Sequence, residues 1–175
     1  MHLSNEQFDK LFDRIQRFAF RLEARAAYNI PQEKERIAAY RNGYVPPRGY
    51  DYPWRDFVEK ATRAGKKIQR VHIVTPPLSE YIMWQSEWAY KHTIPVGEDV
   101  RILDTSITPN VDLPNKDFWI LDDTVVRLDF NHNDAFAGSF LIENRLDEYM
   151  RYRRTALENS MHFQRYWVEV CHQTM

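Results

Sequence analysis

The sequence predicts an α/β (α+β) fold in which N-terminal helices and a C-terminal helical segment pack around a mixed sheet of about five strands. Three observations support this prediction. One stretch has the alternating pattern of a β-hairpin, another follows the order strand, helix, strand, and both ends of the chain have apolar residues at helical spacing. The 175 residues are enough to bury the core of a single domain, 1–175. We expect helices in 1–65, the sheet core in 66–144 and C-terminal helices in 145–175.

The first predicted helix covers residues 5–26. Ser4 and Gln7 form a capping-box pattern, and apolar residues then recur at helical spacing. Arginines at spacings of three and four residues would form a basic ridge on this helix: Arg14, Arg17, Arg21 and Arg25. A solvated helix face is the simpler interpretation of this ridge, and a binding surface is the functional one.

Two shorter helices are predicted next. Pro31 begins a helix that runs to about Asn42, and Gly43 supplies its C-terminal cap. The proline-rich segment 44–53 is an extended loop, and apolar residues at helical spacing then predict a third helix over 54–64.

The sheet begins with a predicted strand over 68–74. A helix that starts at or just before Ser79 leads to a second strand over 99–103, and this order predicts a right-handed crossover between parallel strands. His72 alternates with apolar residues, so an ordinary hydrogen-bonded histidine on the strand is favoured over a catalytic one.

A hairpin is predicted at the centre of the core. The apolar run 118–121 is broken by Asp122 and Asp123, and the following residues, 124–130, alternate between an apolar and a wetter side. A last strand over 136–142 follows, and the rest of the chain is helical.

Composition excludes several classes of protein. The formal net charge of −1 argues against a dedicated nucleic-acid binder. Cys171 is the one cysteine, so neither an intramolecular disulfide nor a cysteine-based zinc cluster is possible, and a cytoplasmic location is expected. The start of the chain does not resemble a signal peptide, and no apolar segment is long enough for a membrane span. The abundant aromatic residues favour a surface that binds a partner or ligand.

Motifs for catalysis or cofactor binding are missing. The histidines do not have metal-binding spacings, and the scarce glycines form neither a phosphate-binding loop nor a dinucleotide fingerprint. We therefore predict no catalytic residue, no metal and no cofactor. Four aspartates near the hairpin could hold a magnesium ion, but the turn chemistry of an Asp-Asp pair is the favoured interpretation: Asp117, Asp122, Asp123 and Asp129.

Several short segments together form a family pattern: Phe20-Arg21-Leu22-Glu23, Glu35-Arg36, Gly65-Lys66, Arg70-Val71-His72-Ile73-Val74, Pro77-Leu78-Ser79-Glu80-Tyr81, Gly97-Glu98-Asp99-Val100-Arg101 and Asp117-Phe118-Trp119-Ile120-Leu121-Asp122-Asp123. Over nearly the whole chain this pattern resembles that of an uncharacterised actinobacterial domain-of-unknown-function family. Members of that family are often encoded beside helix-turn-helix regulators, and the resemblance therefore implies a regulatory or protein-binding role.

The middle of the chain also resembles, more distantly, one half of a phospholipase-D-like fold, with strand, helix and strand followed by a hairpin. The His-x-Lys-x4-Asp pattern of that superfamily is missing, because His132 is followed by Asn133 and Asp134. Phosphodiesterase chemistry is therefore not expected.

These observations favour a non-catalytic cytoplasmic binding module that works with a helix-turn-helix regulator or a small ligand. The alternatives are a small enzyme of specialised metabolism, with carboxylates and arginines near the hairpin, and a DNA-binding accessory protein that uses the arginine ridge. The candidate binding residues are Arg21, Glu23, Arg70, Trp119, Asp122 and Asp123.

Arg21 has a more specific prediction. On the predicted helix, Arg21 and Glu23 lie on opposite sides of the apolar Leu22, so the charge of Arg21 reaches sideways. Solvent is the simpler destination. The sharper hypothesis is an ion pair with Asp117 or with one of the two turn aspartates, at the edge of the binding site.

Overall fold

The computed structural model describes residues 1–46 and 53–170. In this part of the chain, eight strands form one mixed sheet in the order β1-β7-β6-β5-β2-β3-β4-β8. Strands β2, β3 and β4 are parallel, and the remaining neighbours are antiparallel. The strands are β1 (His2–Leu3), β2 (Phe18–Glu23), β3 (Lys67–Val74), β4 (Glu98–Asp104), β5 (Asp117–Leu121), β6 (Thr124–Phe130), β7 (Phe136–Ile142) and β8 (Met161–His162).

Helices cover both faces of the sheet. The α-helices are α1 (Asn5–Arg14), α2 (Lys34–Arg41), α3 (Pro53–Arg63), α4 (Glu80–Gln85), α5 (Lys91–Thr93), α6 (Leu146–Glu158) and α7 (Phe163–Glu169). A π-helical segment, Ser86–Tyr90, joins α4 to α5, and 3₁₀ turns precede α2 and follow α5. Within the described ranges, no helix has the length and apolar character needed to cross a bilayer.

The mixed α/β class and all five predicted strands are confirmed, as β3 to β7. Strands β3 and β4 are parallel neighbours, and the connection between them contains the predicted helix, α4. The hydroxyl of Ser79 caps α4 by accepting a hydrogen bond from the Ile82 N–H. Strands β5 and β6 form the predicted hairpin, in which Trp119 is paired with Val126. The predicted helices over 31–42 and 54–64 are present as well. Cys171 and most of the predicted loop, residues 47–52, lie outside the described residues.

The sheet is larger than predicted, because β1, β2 and β8 were not expected as strands. The prediction of one helix over 5–26 is wrong: α1 ends at Arg14, and Phe18–Glu23 is β2. This strand lies in the middle of the sheet, parallel to β3 and antiparallel to β5, and all its residues are buried.

The carboxylate of Asp122 ends the helical conformation near residue 15. It accepts backbone N–H bonds from Gln16, Arg17 and Phe18 at 2.6, 2.9 and 2.9 Å. These amides are thus bonded to a side chain from the hairpin turn and not to carbonyls of a continuing helix. The predicted arginine ridge is therefore wrong, since its members lie on a helix end, a connection and a strand.

The alternation of β2 divides the core into two layers. Phe18, Phe20 and Leu22 point to the face that is covered by α6, where they pack with Phe118 and other apolar residues. Ala19, Arg21 and Glu23 point to the opposite face, which α1 and α3 cover at one end. Arg21 and Glu23 therefore lie on one face of the sheet. The helical prediction, which placed them on opposite sides of Leu22, is wrong.

Candidate functional site

A network of charged side chains crosses the face of the sheet below α3 and α4. Register explains how it forms, because Arg21 on β2 is paired with Arg70 on β3 and with Trp119 on β5. We call the following residues the charged network: Asp117, Arg21, Glu23, Arg70 and Glu98. All five are buried, with 2–9% of their surface exposed.

Charges of opposite sign alternate along the network. Arg21 Nη2 lies 2.5 Å from Asp117 Oδ2, and Arg21 Nε lies 3.8 Å from Glu23 Oε1. Arg70 continues the series with Nη1 at 2.7 Å from Glu23 Oε1 and Nε at 2.9 Å from Glu98 Oε1. Each buried charge is thus offset by a neighbour of opposite sign, as burial in a protein core requires.

Glu23 lies at the centre of the network. Its carboxylate also accepts a hydrogen bond from the Tyr90 hydroxyl at 2.9 Å and one from Gln85 Nε2 at 3.3 Å. Burial raises the pKa of the Glu23 carboxyl, but the positive charge of Arg70, with smaller contributions from His72, Arg21 and the Tyr90 hydrogen bond, outweighs it and lowers the pKa to about 2. Glu23 is therefore ionised at neutral pH.

Asp117 anchors the other end of the network. Besides Arg21, it accepts the Tyr28 hydroxyl at 2.6 Å and the backbone N–H of Ala24 at 3.0 Å. Burial, together with the negative charges of Glu23 and Asp117, raises the pKa of the Tyr28 phenol well above its ordinary value. The phenol therefore stays protonated and acts as a donor.

Tryptophan rings lie against both arginines. The guanidinium carbon of Arg21 is 5.5 Å from the centre of the Trp119 ring, and that of Arg70 is 5.7 Å from Trp54. Trp54 Nε1 also donates to Glu98 at 3.2 Å. Planar guanidinium groups are thus held between carboxylates and aromatic faces, an arrangement that lysine could not reproduce.

A pocket of about 670 Å³ opens beside the charged network, and its lining includes Arg21, Glu23, Arg70, Gln85 and Trp119. One side of the pocket is a row of rings in contact, which we call the aromatic wall: Tyr81, Tyr28, Phe130 and Phe136. Successive ring centres along this row are 5.4, 5.0 and 5.8 Å apart. The pocket therefore combines a charged floor with an apolar side, as is typical of small-molecule sites.

Two buried polar atoms at this pocket have no hydrogen-bond partner in the described part of the chain. They are Arg21 Nη1, a donor, and Gln85 Oε1, an acceptor. An unsatisfied buried group costs about 1–3 kcal/mol, and native structures contain few of them. Both residues line the pocket, but these two atoms themselves are shielded from it, so they do not by themselves indicate a ligand.

The structure brings four of the six candidate residues together at the pocket: Arg21, Glu23, Arg70 and Trp119. Asp122 and Asp123 instead form the hairpin turn, as the turn interpretation predicted. Asp122 has a φ of 52° and caps residues 16–18, whereas the exposed Asp123 lies 2.6 Å from Arg17. Burial raises the pKa of the Asp122 carboxyl, but the backbone hydrogen bonds outweigh it and lower the pKa.

Arg21 pairs with Asp117, one of the three aspartates that the sharper hypothesis named. His72 is the ordinary strand histidine that its alternation predicted: it is fully buried, with Nδ1 at 2.9 Å from the Tyr90 hydroxyl and Nε2 at 2.8 Å from the carbonyl of Arg25. Among the described residues, no group of three or more histidine, cysteine or acidic side chains is placed to hold a metal ion.

Sequence reasoning missed Tyr28, Glu98 and Gln85. Gln85 had a visible signal, because it occupies the apolar stripe of the helix after Ser79, where a polar residue is buried and needs a partner. Tyr28 lies in a connection and Glu98 at the start of a strand, and neither position has a local pattern that indicates burial.

Family membership was established by comparison with known proteins. A family model described as a domain of unknown function, DUF6879, matches residues 6–168. The chain belongs to the DUF6879 family. The expected domain of unknown function over nearly the whole chain is thereby confirmed. No curated protein matches the DUF6879 chain.

A solved structure that is similar to the DUF6879 chain is that of TrmBL2, an archaeal chromatin protein whose structure is reported to show a novel mode of DNA binding. The two are 12% identical, the match covers 91% of this chain and 50% of that chain, and the TM-score is 0.49. The DUF6879 chain thus spans about half the length of TrmBL2. A similarity of this extent carries no argument about function.

Proposed function

We propose that this DUF6879 chain is a non-catalytic module that binds a small molecule in the pocket beside the charged network. The observation that carries the proposal is the pocket of about 670 Å³, in which the aromatic wall lies beside the charged network. An apolar side with a few fixed polar groups is the usual lining of a small-molecule site.

Protonation favours binding over acid–base catalysis. An efficient general acid or base has a pKa near the working pH. The pKa of Glu23 is about 2, and that of Tyr28 is raised well above its ordinary value, so neither group exchanges protons at neutral pH. Both ring nitrogens of His72 are engaged inside the protein.

The alternative of a small enzyme has one observation in its favour. Glu33 is part of the pocket lining, and the pKa of its carboxyl is raised. Burial is the largest cause, and it outweighs the opposite effect of the hydrogen bond from the Tyr81 hydroxyl at 2.7 Å. A Glu33→Gln variant tests the enzyme, because an enzyme that uses this carboxyl for proton transfer loses turnover in the variant.

The DNA-binding alternative depended on the arginine ridge, which does not exist in the structure. Arg21 is buried in the charged network, and Arg17 and Arg25 lie on either side of β2. The structure therefore removes the feature on which that alternative depended.

The proposal includes a role in regulation. The resemblance to an actinobacterial family encoded beside helix-turn-helix regulators supports a cytoplasmic protein that binds such a regulator. We also propose a distant phospholipase-D-like ancestry, without phosphodiesterase activity. Phe136 is part of the aromatic wall and is 45% exposed, so a ligand that moves this wall also changes the outer surface. Gel filtration of the chain mixed with the purified regulator that a neighbouring gene encodes, with and without ligand, tests this role by showing whether the two proteins elute together.

Ligand binding is tested with a variant that fills the pocket. Ala135 is half-buried on the pocket lining, and Ala137, two residues later, is exposed and is not part of that lining. We expect a small-molecule extract of actinobacterial cells to raise the melting temperature of the wild type and of Ala137→Trp, but not of Ala135→Trp. An equal rise in Ala135→Trp, or no rise in the wild type, would contradict the proposal. Mass spectrometry of the retained fraction identifies the ligand.

A further inference from the structure

We infer that the pocket binds an organic ammonium ion with an apolar body. This inference rests on the proposed function and adds the chemical class of the ligand to it. Three features support it: a half-buried carboxylate on the pocket lining, a surplus of negative charge around the pocket, and the aromatic wall.

Glu33 supplies the carboxylate. It is half-buried in the 3₁₀ turn before α2 and is part of the pocket lining, whereas the carboxylates of the charged network are fully buried. Its Oε2 accepts the Tyr81 hydroxyl at 2.7 Å, and no described lysine, arginine or histidine forms a salt bridge with it. The adjacent Lys34 is exposed, and consecutive residues of a helix do not face each other. A positive group in the pocket would therefore meet a carboxylate that has no cationic partner among the described residues.

Burial makes the charge of Glu33 costly. It is the largest cause of the raised pKa of this carboxyl, and the negative charge of Glu23 raises the pKa further. The Tyr81 hydrogen bond and the positive charges of Arg36 and Arg70 act in the opposite direction but do not outweigh these effects. A positive charge that a ligand brings into the pocket offsets the cost of the ionised form.

The charged network also has a surplus of negative charge. Its three carboxylates are paired with two guanidinium groups, and Glu33 adds a fourth carboxylate beside them. Even a protonated His72, whose Nδ1 is 3.3 Å from Glu23 Oε2, would leave one negative charge in excess. An anionic ligand would add to this surplus, whereas an ammonium ion reduces it.

The aromatic wall suits both parts of such a ligand. Tyr81, which donates to Glu33, is one end of this row of rings, and Phe136 is the other. A cation within about 6 Å of a ring centre is attracted by the negative face of the ring. We therefore expect the positive end of the ligand at Tyr81 and Glu33, and its apolar body along the remaining rings.

Phenethylamine, phenethyl alcohol and hydrocinnamate test the inference because they have the same ring and similar lengths. At neutral pH the first is a cation, the second is uncharged and the third is an anion. We expect phenethylamine to bind the wild-type chain roughly tenfold more tightly than the alcohol, through its ion pair and its contact with the rings. The anion should bind more weakly than either. Affinities are measured by ligand-observed NMR titration.

A charge variant connects this preference to Glu33. Glu33→Gln removes the charge but keeps the length of the side chain and an oxygen for the Tyr81 hydroxyl, so the preference for phenethylamine over the alcohol should fall below roughly threefold. Glu35→Gln is the matched control, because Glu35 is exposed, is not part of the pocket lining and changes the net charge equally. It should keep the preference of the wild type. Because this readout is a ratio measured on one variant, a general loss of stability does not imitate it.

A second pair of variants connects binding to the pocket. Ala135→Trp should abolish binding of phenethylamine, and the matched control Ala137→Trp should leave it unchanged.

The outcomes separate the ligand class from the proposed function. If the alcohol or the anion binds as tightly as phenethylamine and Ala135→Trp blocks this binding, the pocket is a ligand site but the inferred class is wrong. If no probe shows binding that Ala135→Trp blocks, or if Glu33→Gln keeps the preference of the wild type, the inference also fails. Whether the pocket binds a small molecule at all is decided independently by the cell extract.

Discussion

Arg21→Ala should be strongly destabilising, because Arg21 pairs with Asp117 away from solvent. The two side chains are 6% and 1% exposed, and their charged atoms are 2.5 Å apart. Removing one member of a buried ion pair leaves the other charge without compensation and costs about 3–5 kcal/mol. Among the described residues, Asp117 would then keep two hydrogen-bond donors, the Tyr28 hydroxyl and the Ala24 amide.

This loss is large in comparison with the stability of an ordinary domain, which is about 5–15 kcal/mol. For a chain of this size, each kcal/mol changes the melting temperature by roughly 2–4 °C, so Arg21→Ala should lower it by roughly 6–20 °C. Urea unfolding, followed by tryptophan fluorescence and circular dichroism, measures the free energy directly.

Arg14→Ala is the matched control. Arg14 is an exposed residue in the last turn of α1, where its charge interacts with the helix dipole, and its removal should cost less than about 1 kcal/mol. Equal, small losses in both variants would refute the reasoning and would remove Arg21 from the proposed site. In an Asp117→Asn background, Arg21→Ala should cost about 1–3 kcal/mol less than in the wild type, because the two residues are coupled.

Three further predictions follow from the same geometry. Trp119→Ala should cost about 3–5 kcal/mol, because this ring is 8% exposed within the core, and wild-type melting behaviour in that variant would contradict its central position. Asp122→Ala should lower the free energy of unfolding by about 2–4 kcal/mol, because it removes three backbone hydrogen bonds at a residue with a positive φ. Asp123 is exposed, so the control Asp123→Ala should lower it by less than about 1 kcal/mol. Similar urea midpoints for the two variants would contradict the capping role of Asp122. The pKa of Glu23 is about 2 in the folded chain and 4.5 as its ordinary value, so its contribution to stability is complete above pH 4.5 and is lost as the pH falls towards 2. Glu23→Gln should remove that part of the pH dependence of the urea midpoint, and an unchanged slope would show that Glu23 is not the group responsible.

Local patterns in the sequence were sufficient for β3 to β7 and for most of the helices. The hairpin is the clearest case: an apolar run, an Asp-Asp break and a strict alternation from 124 to 130 specify two strands and a turn. Each of these signals lies within a few residues of the element that it predicts. Their interpretation therefore needed no knowledge of distant contacts.

Strand β2 could not be separated from a helix in this way. Phe18, Ala19 and Leu22 have the spacing of a helical stripe, while Phe18, Phe20 and Leu22 also have the alternation of a strand. The alternation was a usable signal, but it competed with the well-marked helix just before it. Distant partners decide the outcome, because β3 and β5 hydrogen-bond both edges of β2 and Asp122 binds the amides at its start.

The candidate site depends on the same long-range pairing. The sequence indicated Arg21, Glu23, Arg70 and Trp119 as candidates, but on a helix Arg21 and Glu23 point to different sides. In β2 they point to one face, and the register of the sheet places Arg70 and Trp119 beside Arg21. The residue types of this network are thus a property of the sequence. Their convergence is a property of the tertiary structure, because a strand has no hydrogen-bond partners within itself and takes its neighbours from segments far along the chain.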